Sequence, residues 1–157
     1  VTALCFLCKF VKKNILKHSE ILEKVNEASA NTLMETLGIV FTEIGDDYVV
    51  CKMPVSSKVH QPAGILHGGA TAALVETVGS FASKYFIKNK DLSVRGIEIT
   101  TNHVKSISEG FVHAKATNIH FGRTMQIWEV RITDEDENLI SLGKLTTLAI
   151  KKNKICT

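Results

Sequence analysis

Hydrophobic and polar positions divide the chain into a helical start, a short stretch of alternation, one long helix and a longer stretch of alternation. Residues 15 to about 38 read as helical. Leu22, Val25, Ala28 and Ala30 recur at loosely helical spacing, and Thr32-Leu33-Met34-Glu35 matches a capping box that starts a fresh turn. From Ile39 the period changes to two. Residues 39–44 and 48–53 flank Gly45-Asp46-Asp47, the signal of a hairpin. The only two prolines, Pro54 and Pro62, bracket a loop that leads into a helix from about Gly68 to Lys88. Successive helical residues lie ~100° apart. That puts Ala70, Leu74, Val78, Phe81 and Tyr85 on one stripe, with Ala72, Glu76, Ser80 and Ser83 opposite.

Four strand-like segments follow, at residues 94–104, 110–119, 125–133 and 139–150. Ser108-Glu109-Gly110, His120-Phe121-Gly122-Arg123 and Asp134-Glu135-Asp136-Glu137-Asn138 supply the turns, whose spacing suits successive antiparallel strands. The expectation is an α+β domain with one long helix against an antiparallel sheet of about six strands. Such a sheet has an edge to manage, and pairing two copies edge to edge predicts a dimer at least.

Composition adds little to this picture. At 157 residues, 45% hydrophobic and 22% charged, the chain suits one globular domain, and a net charge of +3 without an Arg-rich stripe does not point to nucleic acid. Four scattered cysteines, Cys5, Cys8, Cys51 and Cys156, form no disulfide framework, which fits the cytoplasm. The apolar run 1–11 is short for a membrane helix, and its lysines come in the wrong order for a signal peptide. Cys5-x-x-Cys8 lacks the further ligands of a zinc site, so no metal is expected. The lysines at 151, 152 and 154 read as a solvated tail, and the acidic run 134–137 as a turn.

Candidate chemistry gathers at the long helix. Gln61-Pro62-Ala63-Gly64-Ile65-Leu66-His67-Gly68-Gly69 opens it, and glycines at a helix start leave backbone N–H groups approachable. They serve a tight turn, or they donate to a carbonyl oxygen as it becomes an oxyanion. Glu76 is a solvated side chain on a polar face, or a carboxylate held ready beside that carbonyl. The small residues around it (Ala72, Gly79, Ser80, Ser83) favour a ligand on this face. His67 either assists the oxygen or caps the helix, and Gln61 could orient water or the carbonyl through its amide. Downstream, Asn102-His103-Val104-Lys105-Ser106 and His120-Phe121-Gly122-Arg123-Thr124 each set basic residues at strand ends. They face water, or they rim a phosphate of a nucleotide-bearing substrate. Neither has the glycine spacing of a P-loop or a dinucleotide-binding turn, which speaks against ATP and NAD.

Taken in register, these residues resemble the hotdog-fold acyl-CoA thioesterases. Within them the chain is similar to the bacterial subgroup acting on 1,4-dihydroxy-2-naphthoyl-CoA, in menaquinone biosynthesis, and on related aromatic esters. The likeness runs from about Gly38 to Ile150 and includes Gln61-Pro62, Leu66-His67-Gly68-Gly69-Ala70, Glu76, Gly79-Ser80, Gly96-Ile97-Glu98-Ile99, Asn102-His103-Val104, Gln126-x-Trp128 and Leu145-Thr146-Thr147. It implies a sheet wrapped around the central helix, dimers sharing one continuous sheet, usually tetramers, and a site drawing on both subunits. It also implies a single domain over 18–151, with residues 1–17 as an extension and 152–157 as a tail. Glu76 would be nucleophile or general base and Gly68 N–H the oxyanion donor, with Gln61 and His67 as positioning groups. Ser80 would line the acyl pocket beside Gly69. Coenzyme A, as part of the substrate and not a cofactor, would meet Gly96, Asn102, His103, Val104, Lys105, Ser106, His120, Phe121, Gly122, Arg123, Thr124 and Met125. Lys105 stands where relatives often carry Arg, which keeps charge and loses bidentate geometry. A hydratase or dehydratase on the same fold would want a His paired with a carboxylate, and a non-catalytic acyl-CoA sensor would bind without releasing thiol.

Overall fold

The computed structural model describes residues 17–89 and 91–152. The apolar start with Cys5-x-x-Cys8, and the end of the tail with Lys154 and Cys156, lie outside the described residues. Helix α1 (17–27) leads through a turn to the short α2 (Leu33–Leu37). Six strands follow around one long helix: β1 (Val40–Ile44), β2 (Tyr48–Pro54), α3 (Gly68–Phe86), β3 (Leu92–His103), β4 (Phe111–Phe121), β5 (Met125–Thr133) and β6 (Leu139–Lys151). This is the hotdog arrangement, an antiparallel sheet curled about a central helix. No helix among the described residues is long and apolar enough to cross a membrane.

The expected single helical start is broken after residue 27. Thr32 Oγ1 accepts from Met34 N–H and begins α2, Glu35 accepts the N–H of Asn31, and Gly38 closes the short helix at φ 70°. The core then forms where the period-two strands meet one side of α3. Val49, Cys51 and Met53 on β2, Val112, Ala114 and Ala116 on β4, and Trp128, Val130 and Ile132 on β5 are buried at alternate positions. They pack against Leu74, Val75, Val78 and Ala82 of α3. Each fully buried aliphatic side chain of this kind contributes roughly 1.5–3 kcal/mol.

Two expectations change. The last four strands are not successive neighbours: the sheet order is β1-β2-β4-β5-β6-β3, so β4 pairs with β2 while β3 lies beyond β6. The connection 104–110 spans the sheet from one side to the other, because the curled sheet must be closed around α3. The second change concerns the helix. Ser83 and Gly79, expected on the open side near Glu76, are buried. A Cβ at Gly79 would meet Leu145 Cδ2 at 2.6 Å, so the glycine serves close packing of helix on sheet.

The two edges differ. At β1, Asn26 of α1 accepts from Phe41 N–H and donates to Phe41 C=O, both at 2.9 Å. At β3, only the β6 side is paired among the described residues, positions 95–100 are all exposed, and Ile97 is 57% accessible.

Candidate functional site

The first turn of α3 is built by its own sequence. His67 is the N-cap, extended at φ −73° and ψ 133°, and its Nδ1 accepts the Gly69 N–H at 2.7 Å. That bond requires a lone pair on Nδ1 and so leaves any ring proton of neutral His67 on Nε2. His67 therefore caps, and Gly69 N–H is spent. Among the described residues nothing accepts the Gly68 N–H, which lies at the positive end of a 19-residue helix. Of the two glycines, Gly68 is the donor left for a ligand.

Gly68 opens into a cavity of about 390 Å³ that also takes in Gln61, His103, Val104, Lys105 and Ser106. Here the loop before α3 and the end of β3 meet. His103 stands directly over the helix start: a Cβ at Gly68 would come within 2.6 Å of its Nε2. Its Nδ1 is 3.0 Å from Ser141 Oγ, a buried hydroxyl of β6. Val104 N–H donates to Ile140 C=O at 2.8 Å and fixes the rim. Lys105 Nζ lies 3.7 Å from Asp134 Oδ2, a half-exposed lysine against a mostly covered carboxylate. Asn102 is exposed on β3 beside this rim.

Glu76 sits elsewhere. It lies about two turns further along α3, roughly 12 Å from Gly68 at 1.5 Å per residue. It is half-buried, and Ser80 Oγ donates to its Oε1 at 2.8 Å. The carboxylate rests on Gly96 of β3, where a Cβ would fall 2.4 Å from Oε1. Gly96 thus makes room for the acid and is not aimed at the Gly68 cavity. Glu76, Ser80 and Thr77 open into a second cavity of about 500 Å³ that exposes mostly carbon, although Lys84, Ser93 and Lys152 also stand in its wall. Within one chain the acid and the helix-end donor do not converge.

A third group lies at the β4–β5 turn. Phe121 ends β4 with its ring edge-on to Trp128 at 6.2 Å, Gly122 N–H donates to Met125 C=O, and Thr124 C=O accepts from Ala149 N–H. His120 Nε2 crowds Gly122, and Arg123 is exposed. Beneath the turn runs a buried chain of bonds. Gln126 Nε2 donates to Gly122 C=O at 3.0 Å, Thr147 Oγ1 donates to Gln126 Oε1 at 3.0 Å, and Thr147 Oγ1 is 2.7 Å from Ser83 Oγ. Trp128 N–H closes it on Ser83 Oγ at 2.6 Å.

The model of the thioesterase superfamily matches residues 63–141, which take in Gly68, Glu76, the end of β3 and the β4–β5 turn. The proofreading thioesterase EntH of Cronobacter sakazakii is 42% identical over 133 residues, covering 85% of this chain and 96% of its own. The chain belongs to the thioesterase superfamily. Thioesterase HI1161 from Haemophilus influenzae superposes with a TM-score of 0.82 at 34% identity, over 87% of this chain and 94% of that one. A variant of thioesterase PA1618 from Pseudomonas aeruginosa does so at 0.81 and 34%, over 83% and 94%. Thioester hydrolysis is accordingly the chemistry of this thioesterase.

Sequence reasoning missed four side chains that this thioesterase sets at its cavities. Val25, Met34 and Phe41 line the Glu76 cavity, and Ser141 holds His103. Helical spacing marks Val25 as inward-facing. Nothing in the sequence says that α1 and α2 fold back over the Glu76 face.

Proposed function

We propose that this thioesterase hydrolyses acyl-CoA esters at a site shared by two copies of the chain, with Glu76 of one copy and the Gly68 N–H of the other acting on the same carbonyl. The observation that carries the reading is their separation. Two groups roughly 12 Å apart on one rigid helix cannot both reach one carbonyl, which demands contacts of about 3 Å from each. A second copy running antiparallel resolves it. Strand β3 offers the junction: among the described residues no strand pairs with its outer edge, Glu76 rests on Gly96, and Gly68 lies under His103. Two-fold pairing of β3 with its counterpart, centred between these two positions, brings the acid of one copy towards the helix start of the other. Two such dimers would assemble into a tetramer.

In the shared site Ser80 orients the carboxylate through Oε1, leaving Oε2 for the reaction. Acting as base, Glu76 takes a proton from water, whose oxygen adds to the thioester carbon. The negative charge on the carbonyl oxygen meets the Gly68 N–H at the helix end. Collapse of the tetrahedral species breaks the C–S bond and releases coenzyme A thiolate. Acting as nucleophile, Glu76 instead displaces the thiolate to form an anhydride that water opens. Neither route calls for a metal or a cofactor. The apolar cavity suits an aromatic or medium-sized acyl group, a class that includes 1,4-dihydroxy-2-naphthoyl esters. The polar rim from Asn102 to Ser106 and the turn from His120 to Met125 would carry coenzyme A.

Mixing two inactive variants tests the shared site. Glu76→Gln and Gly68→Ala proteins, co-expressed, are expected to regain thiol release to about a quarter of the wild-type level, because each mixed dimer keeps one intact pairing. If mixtures stay as inactive as their parents while forming mixed dimers, the shared site is wrong. Binding of acyl-CoA without thiol release by the wild type would favour the sensor instead.

A further inference from the structure

The Glu76 cavity is a cleft between the two edges of the curled sheet. On one side β3 contributes Val94. On the other stands Phe41 of β1, its ring 4.5 Å from that of Phe81, with Val25 of α1 and Met34 of α2 completing the wall. These last two residues come from outside the sheet, so their position depends on how the helical pair is attached. The attachment is specific. The Asn26 amide makes both bonds that a further strand would make to Phe41, each at 2.9 Å. Ser29, itself buried, donates to Val25 C=O at 2.8 Å and sets its hydroxyl 3.7 Å from Met34 Sδ. Val25, Met34 and Phe41 are thereby tied together by bonds within the chain.

We propose that Val25 and Met34 are specificity-determining residues, forming the wall that sets how broad an acyl group the Glu76 cavity accepts, and that Asn26 is the positioning residue that fixes this wall to the sheet. The inference rests on the reading of Glu76 as the ester-cleaving carboxylate. The wall offers carbon and a thioether and no strong hydrogen-bond donor, so the acyl face turned to it is hydrocarbon, aryl or branched alkyl. A fixed apolar wall discriminates by fit, and a single methylene in such a pocket changes kcat/KM by about tenfold or more.

The test is a ladder of acyl-CoA esters, from acetyl and butyryl through benzoyl to naphthoyl, measured as kcat/KM on the full chain. Val25→Ala and Met34→Ala empty the wall and are expected to raise the naphthoyl-to-butyryl ratio by about tenfold. Val25→Phe and Met34→Phe fill it and should lower the ratio by a similar factor, which keeps the test alive if an emptied variant fails to fold. Ratios unchanged across the variants that fold would overturn the assignment. Asn26→Ala should flatten the ladder. An equal loss on every ester, the mark of a merely structural role, would remove Asn26 from the account. The same ladder is also measured as Kd with ketone analogues in which a methylene replaces sulfur. If the wild type cleaves no ester, affinity ratios that shift with the wall variants uphold the wall while the hydrolysis reading falls. Flat affinity ratios sink both.

Discussion

Ser80 and Ser83 stand three residues apart on α3 and meet opposite demands. Ser80 looks into a cavity and lends its hydroxyl to Glu76. Ser83 is fully buried against the sheet, saturated by the Trp128 indole and the Thr147 hydroxyl. Gly96 and Gly79 repeat the contrast, one admitting a carboxylate and the other Leu145. A small residue on a central helix or its facing strand thus has two distinct causes, room for a carboxylate at a cavity or close approach of the core. Only the side of the helix tells them apart.

The largest expected effect lies on the cavity side. Glu76→Gln should lower kcat by about 10²-fold or more, measured as thiol release, with the thermal midpoint held. Near-normal turnover would end the comparison by making the acid an ordinary surface group. Gly96→Ala comes next. Its methyl must displace the carboxylate it would touch, and kcat should fall by about tenfold to 10²-fold for a shift near 1 Å. A crystal structure of the variant with Glu76 unmoved would contradict this. On the core side, Ser83→Ala should leave kcat in place and cost about 1–3 kcal/mol, because it strands the buried Trp128 N–H. Denaturant unfolding reads that loss, and a fall in kcat at unchanged stability would show that the two faces are not separate.

Much of this was legible beforehand. Period-two alternation located β2, β4, β5 and β6, and the glycine pair with its histidine located the start of α3. The position of Glu76 on a face lined by small residues drew attention to a carboxylate that does open into a cavity. What escaped was non-local. Turn residues at 108–110 and 120–123 look alike in sequence, yet one ends a crossing of the sheet and the other makes a tight hairpin. Helical spacing alone placed Ser83 beside Glu76, because the cavity face and the core face are both rich in small residues. The eight-residue step from Gly68 to Glu76 reads as proximity along the sequence, while on a helix it becomes a distance that one carbonyl cannot bridge. His67 could be read as a helper for that carbonyl or as the helix cap, and its Nδ1 accepts the Gly69 N–H as a cap does.

The amide of Asn26 has a consequence for growth. Unshielded strand borders invite chain after chain to join, and a protein bearing two of them can polymerise without limit. Here one border is occupied at Phe41 by a side chain of the same molecule, while among the described residues no strand covers the other along β3. Under the proposed pairing, joining at that border would use up both partners' vacancies at once, so strand addition would stop itself at a pair.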